Sequence, residues 1–329
     1  MTSQPEEVSV DDPTKRFPGV SRPGRVRGCL LWAACADALG APFESRLVVD
    51  PAAVDDLLAN PPRHLRWTDD TALTLVLAEH LTGRGGAVDA DELAPAFAAE
   101  WARDPGLGYG GGVSRQFERI LAGESWRDTS VDMFGGQGSY GNGAAMRVAP
   151  VGLLPGVPLP EVAELARRSA VVTHAHPEAT DGAAVQAVAV ALAAGTDPAD
   201  RIDPDRFVAA LLPVAQSAQF RAALAELPDL VRHRAAPERV AGHLGSGVRA
   251  VESVPAALAA FLHAPGDPAA VLRFAVRMGG DTDTVAAMAT AVAGAYCGDQ
   301  ALPERWWSRL AELPRLARAA EALSALPTR

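Results

Sequence analysis

The sequence predicts an all-α protein, and three observations carry that expectation. Hydrophobic residues make up 48% of the 329-residue chain but aromatic residues only 5%, so the core must be built from Ala, Val and Leu. Alanine at such density favours helix. Alternating apolar and polar stretches flanked by turn residues, the mark of a half-buried strand, are scarce. Helical patterns instead recur between start and stop signals along most of the chain. No repeat at a fixed period and no long low-complexity linker interrupts them, so one compact domain is expected.

The elements follow in chain order. Residues 1–22 are polar and proline-rich and bury too little surface to offset ordering entropy, so a mobile tail is expected there and a folded domain over 23–329. A helix of small apolar residues is predicted over 28–39, stopped by Gly40-Ala41-Pro42. A second spans 70–81 and ends at Gly83, and a third spans 91–103 and ends at Asp104-Pro105-Gly106. Residues 135–143 form a glycine-rich loop. Further helices are predicted over 161–172, 181–194, 205–219, 254–262, 268–277 and 283–296.

Bulk properties exclude several function classes. A net charge of −10 opposes a broad nucleic-acid footprint. No run of 18 apolar residues qualifies as a membrane span, and the N-terminal stretch lacks the apolar core of a secretory leader. Three cysteines without a CxxC pair suggest reduced thiols in a cytoplasmic protein.

Four stretches carry chemistry. In GGDTDTVAAM (279–288), Asp281, Asp283 and Thr284 stand where a helix begins, and WTDDTALTL (67–75) places Thr68, Asp69 and Asp70 in the same situation. Helix capping explains one such cluster. It needs only one residue, whereas each cluster offers at least three oxygen donors. Four carboxylates brought together are costly unless cations neutralise them. Oxygen donors select hard ions such as Mg²⁺, Mn²⁺ or Ca²⁺, and the stretch lacks the glycine and closing glutamate of a calcium loop. If the clusters meet in space, a two-metal site follows.

The second stretch, GGQGSYGNGAAMR (135–147), offers successive backbone N–H groups for an anion nest or forms a surface turn; it is not a Walker loop. Within it Tyr140 is placed either to stack on a base or to pack. In the third, CADALGAPFES (35–45), Glu44 follows a helix break, where it serves as acid, base or ligand, or as a solvated loop carboxylate, while Asp37 is read as structural, bonding loop backbone. The fourth, VVTHAHPEATDG (171–182), holds His174 and His176; no cysteine lies near them, so zinc is disfavoured.

Taken in order, DALGAPFE, WTDDT, GSYGNGAAMR, THAHP and GGDTDT resemble the ADP-ribosylglycohydrolase family, over nearly the whole folded chain. Three further stretches, DPGLGYGGGV (104–113), FGGQGSYGNGAAMRVA (134–149) and LGSGVRAVESVPAAL (244–258), resemble its ADP-ribosyl-serine hydrolase branch, which also degrades poly(ADP-ribose) and O-acetyl-ADP-ribose. The resemblance implies an all-α orthogonal helical bundle with two Mg²⁺ ions, Mn²⁺ being the alternative. It implies Thr68, Asp69, Asp70, Asp281, Asp283 and Thr284 as metal ligands and Glu44 as the catalytic carboxylate. It implies Gly138, Ser139, Tyr140, Gly141 and Asn142 around the diphosphate, Phe134 and Tyr140 near the adenosine, His174 on the ligand and Ser253 on the adenine. Ala36 replaces a frequent glycine, Trp67 a frequent tyrosine, and Gln137 stands where a basic residue occurs, which weakens contact with a polymeric substrate.

The expected function is hydrolysis of the glycosidic bond at C1″ of ADP-ribose, releasing it from serine-linked acceptors. The expected partners are ADP-ribosylated proteins or peptides and ADP-ribose itself, with neither membrane nor nucleic acid, and a monomer is expected. Arginine-linked hydrolysis by the same fold, and non-catalytic ADP-ribose binding, are the alternatives.

Overall fold

The computed structural model describes residues 19–329; residues 1–18, most of the stretch expected as a tail, lie outside the described residues. The first half runs α1 (Arg22–Gly40), α2 (Pro51–Ala59), α3 (Asp69–Gly83), α4 (Ala90–Arg103), α5 (Gly111–Leu121), α6 (Trp126–Val131), α7 (Gly143–Met146), α8 (Ala149–Gly152) and α9 (Leu159–Ala170). The second half runs α10 (Pro177–Gly195), α11 (Pro204–Leu211), α12 (Ala218–Arg232), α13 (Pro237–Leu244), α14 (Ala250–His263), α15 (Pro268–Arg277), α16 (Thr282–Cys297), α17 (Glu304–Trp307) and α18 (Leu313–Ser324). Among the described residues there is no strand, only isolated bridges at Leu65–Leu310 and Gly141–Arg249. The fold is all-α, as the composition predicts.

Every residue of α16 is buried, which suits a helix apolar on all sides. Its main partner is α1, and the two backbones nearly touch where Gly28 faces Gly294: a β-carbon on Gly28 would lie 2.6 Å from the Gly294 carbonyl oxygen. Helices α10, α14 and α15 close around α16. This central pair matters for function because the C-terminal end of α1 and the N-terminal end of α16 meet, and the carboxylate clusters lie at that junction.

The boundaries differ from expectation where local chemistry overrides periodicity. Helix α1 starts at Arg22, earlier than the predicted 28, because Ser21 caps it by accepting from Gly24 N at 3.3 Å. The helix predicted over 205–219 is two helices, since Pro213 cannot donate to a continuing ladder and the chain restarts only after Ser217 caps Phe220 N at 3.2 Å. Helices α2, α5, α6, α7, α8, α13, α17 and α18 have no counterpart among the predicted helices, and most of α12 lies beyond the predicted end at 219; α12 tolerates Pro228 in its interior, a residue that reads as a stop.

Candidate active site

The paired glycines of the GGDTDT stretch have a steric reason. Gly279 and Gly280 adopt φ of +71° and +77°, and a β-carbon on Gly279 would lie 2.5 Å from the Arg46 carbonyl oxygen. One on Gly280 would run into the Ser246 carbonyl. Without these atoms two loops close in from opposite sides. Ser45 N donates to Gly280 O at 2.8 Å, Gly280 N to Arg46 O at 2.8 Å, and Asp281 N to Ser246 O at 2.8 Å. Thr282 Oγ1 adds a bond to Gly40 O at 3.0 Å, tying α16 to the end of α1. The result places Glu44, at the end of a 3-10 turn over Ala41–Phe43, beside Asp281. Ligand oxygens of Glu44, Asp281 and Asp283 lie within 4.8 Å of one another.

The second cluster is set by Asp37. This fully buried carboxylate accepts from Thr68 N at 2.9 Å, Thr71 N at 3.1 Å and Thr71 Oγ1 at 2.5 Å, so it caps α3 from another helix. Asp69 and Asp70 are thereby held in the first turn of α3. Thr284 Oγ1 donates to Asp70 Oδ1 at 3.3 Å and joins the two clusters, and Asn142 Nδ2 donates to Asp281 Oδ2 at 2.6 Å.

The electrostatics match a cation site. Burial, reinforced by Asp37, pushes Asp69 up to about 8; burial, reinforced by Asp281, pushes Asp283 up to about 9. Asp70 is raised well above the carboxylate range by burial and its acidic neighbours, and Glu44 is raised by burial and Asp281. Asp70 Oδ2 and Asp283 Oδ1 are buried and accept no hydrogen bond from any described residue. Orphaned carboxylate oxygens at the N-termini of two facing helices fit hard divalent cations, which would satisfy both atoms and offset the repulsion.

The clusters open into a cavity of about 400 Å³. Of the expected site residues, Glu44, Asp69, Asp70, Asp281, Asp283, Thr284, Phe134, Ser139, Tyr140, Gly141, Asn142 and His174 line it. The glycine-rich loop covers one wall, pinned to the segment before α14 by Asn142 N to Val248 O at 2.9 Å and Ala250 N to Tyr140 O at 3.1 Å. Phe134 is 54% exposed and lies 5.0 Å from the Tyr140 ring, which His176 meets edge-on and Arg249 overlies. Such an open aromatic pair suits a planar base.

Three expected residues are not on the wall. Thr68 sits behind Asp69 and accepts from Asp70 N at 3.3 Å. Gly138 packs against the backbone of Ala175 and His176. Ser253 is fully buried in α14, where its hydroxyl donates to Arg249 O at 3.0 Å. Arg147, Val248 and the turn at Gly108–Val113 also line the cavity, although no role was expected of them from the sequence. A lone arginine inside the apolar AAMRVAP run was the available signal for Arg147.

Comparison with known proteins finds relatives over nearly the whole described chain. A family model described as ADP-ribosylglycohydrolase matches residues 19–329. The chain is 34% identical to ADP-ribosylhydrolase ARH3 of Bos taurus, covering 86% of this chain and 87% of that protein. It is 34% identical to ADP-ribosylhydrolase ARH3 of Homo sapiens, covering 86% and 88%. The uncharacterized protein YegU of Escherichia coli is 31% identical over 84% of this chain and 89% of its own. A solved ADP-ribosylglycohydrolase-related protein complex superposes with a TM-score of 0.70 and 29% identity, over 93% of this chain and 98% of that one.

Proposed function

The chain belongs to the ADP-ribosylglycohydrolase family, a hydrolase of ADP-ribose glycosidic bonds, and on that premise we propose that it removes ADP-ribose from serine-linked acceptors with the help of two Mg²⁺ ions. The observation that carries this reading is the pair of orphaned oxygens, Asp70 Oδ2 and Asp283 Oδ1, in carboxylate clusters that line one cavity together with Glu44. Asp69, Asp70, Asp281, Asp283 and Thr284 would hold the ions, with Thr68 behind them. Bound Mg²⁺ supplies the positive charge that orients the ribose hydroxyls and acidifies water, and Mn²⁺ meets the same donor set.

The chain's own residues do the rest. The bond between C1″ and the acceptor oxygen breaks, water oxygen joins C1″, and one proton passes from water to the departing oxygen. A serine alkoxide leaves poorly unless protonated, and Glu44 is the carboxyl to which we assign that proton. Its affinity for a proton is raised by burial and by Asp281, the direction that favours a carboxyl acting as an acid. The backbone of Ser139–Asn142 binds the diphosphate, Phe134 and Tyr140 hold the adenine, and Ser253 supports that wall from within α14. These contacts lie far from C1″ and position it.

The serine assignment rests on the three stretches that resemble the serine-directed branch and on the identity to the two ARH3 proteins. Poly(ADP-ribose) and O-acetyl-ADP-ribose are proposed as further substrates. A monomeric cytoplasmic enzyme is proposed with them. The deciding experiment is release of ADP-ribose from a mono-ADP-ribosylated serine peptide with Mg²⁺ and with EDTA. Release abolished by EDTA supports the reading. Release only from an arginine-linked peptide transfers the assignment to that linkage, and metal-dependent binding without turnover on any linkage leaves a binding protein.

A further inference from the structure

Arg147 is a buried cation to which the reaction assigns no part. It is fully buried at the end of α7, and no described carboxylate comes within ion-pair distance. The charge of Asp69 reaches it from beyond that distance, but burying a guanidinium with no closer counter-ion is costly, so its neutral partners need a reason. Nη1 donates to Gly143 O at 3.0 Å; Nη2 donates to Ser169 O at 3.2 Å and to Thr173 Oγ1 at 2.7 Å; the Phe97 ring lies 4.3 Å away. Thr173 Oγ1 in turn stands 2.8 Å from Nδ1 of His174.

Proton counting decides the direction of that last bond. A guanidinium only donates, so Thr173 Oγ1 accepts from Arg147. The hydroxyl has one proton, and Nδ1 is its one other described partner. Nδ1 is therefore the acceptor, and the proton of the neutral imidazole is on Nε2. The reverse tautomer would leave the threonine proton without an acceptor. Nε2 has no described hydrogen-bond partner and faces the cavity beside Gly143, where a β-carbon would lie 2.8 Å from it. Only glycine leaves the ring that room.

We propose that Arg147, through Thr173, is a positioning residue that locks His174 as a neutral Nε2–H donor, aimed at an oxygen of the ligand held by Ser139–Gly143. Its bond to Gly143 O ties loop and histidine to one rigid cation. Burial and the charge of Arg147 push His174 down to about 3, so the ring stays neutral throughout the physiological range. The ligand in this inference, ADP-ribose, rests on the proposed function, whereas the lock itself does not.

The test uses ligand-free full-length protein labelled with ¹⁵N-histidine, with the His174 signals assigned by their loss in H174Q. Long-range ¹H–¹⁵N spectra should show the Nε2–H tautomer unchanged from about pH 5 to pH 8. T173V, which keeps the shape and removes the hydroxyl, should mix the tautomers and weaken ADP-ribose binding about tenfold, the effect of one hydrogen bond, while T173S restores both. A proton on Nδ1 in the natural protein overturns the proposal, as does T173V with unchanged tautomer and affinity. If T173V does not fold, the spectrum of the natural protein decides alone. The stated tautomer in a protein that does not bind ADP-ribose supports the lock and overturns the functional reading instead.

Discussion

Two single residues in this site have separable duties. In the proposed reaction Glu44 meets the reacting bond, so Glu44→Gln should lower kcat by roughly 10²–10⁴-fold, the range for a lost acid–base group, with little change in ADP-ribose affinity. Turnover close to that of the natural protein would remove Glu44 from the mechanism. Gly280 meets nothing that reacts, yet it decides where Glu44 stands. With φ at +77° and the Ser246 carbonyl in the way of a β-carbon, Gly280→Ala should cost about 1–3 kcal/mol in urea unfolding, from strain and displacement together. Gly83→Ala is the control, since nothing lies within 4 Å of the point its new methyl would occupy, and it should shift stability by less than about 0.5 kcal/mol. Equal effects at both positions would refute the steric account.

Helix ends, more than helix faces, build this site. Asp69 and Asp70 open α3, Asp281 precedes α16 and Asp283 stands in its first turn, so the positive ends of two helices converge on the same carboxylates. The element that aligns α3 is not in α3 at all: it is Asp37 of α1, accepting from three donors, Thr68 N, Thr71 N and Thr71 Oγ1. Asp37→Ala should strand those donors in a buried setting and cost about 2–4 kcal/mol. It should also raise the Mg²⁺ concentration needed for half-maximal turnover, because Asp69 and Asp70 lose their register. A variant as stable as the natural protein would show that α3 is held by packing alone.

For the whole molecule, the carboxylate clusters tie stability to pH and, through the proposed cation site, to metal. Asp69 and Asp283 are raised to about 8 and about 9, above their ordinary values. Raised carboxylates contribute stability that is fully present below the ordinary carboxylate range near pH 4 and is lost as pH rises through 8 and 9. Cations require the ionised forms, so they displace those protons and stabilise most where protons bind least. The rise in Tm on adding Mg²⁺ to EDTA-treated protein should therefore grow from pH 6 to pH 9. An increment independent of pH would mean that the clusters do not hold the ion. At this scale the legible and illegible parts of the sequence also separate. The all-α class, the two acidic clusters, Glu44 and the glycine loop are readable because composition, helix-start chemistry and motif order are local properties. The places of Arg147 and of residues 108–113 on the cavity wall are not, because the quoted motifs that hold them say nothing of which other segments they face. The break at Pro213 and the cap at Ser21 are written in the sequence but outweighed there by periodicity. By itself the sequence determined which stretches gather carboxylate and hydroxyl oxygens and, to within a residue, where the two helices that carry them begin, since both follow from side-chain chemistry within a few positions. Only the tertiary structure decided that Glu44, 237 positions before Asp281, stands beside it, because that meeting depends on two glycines without β-carbons letting separate loops close on one helix end.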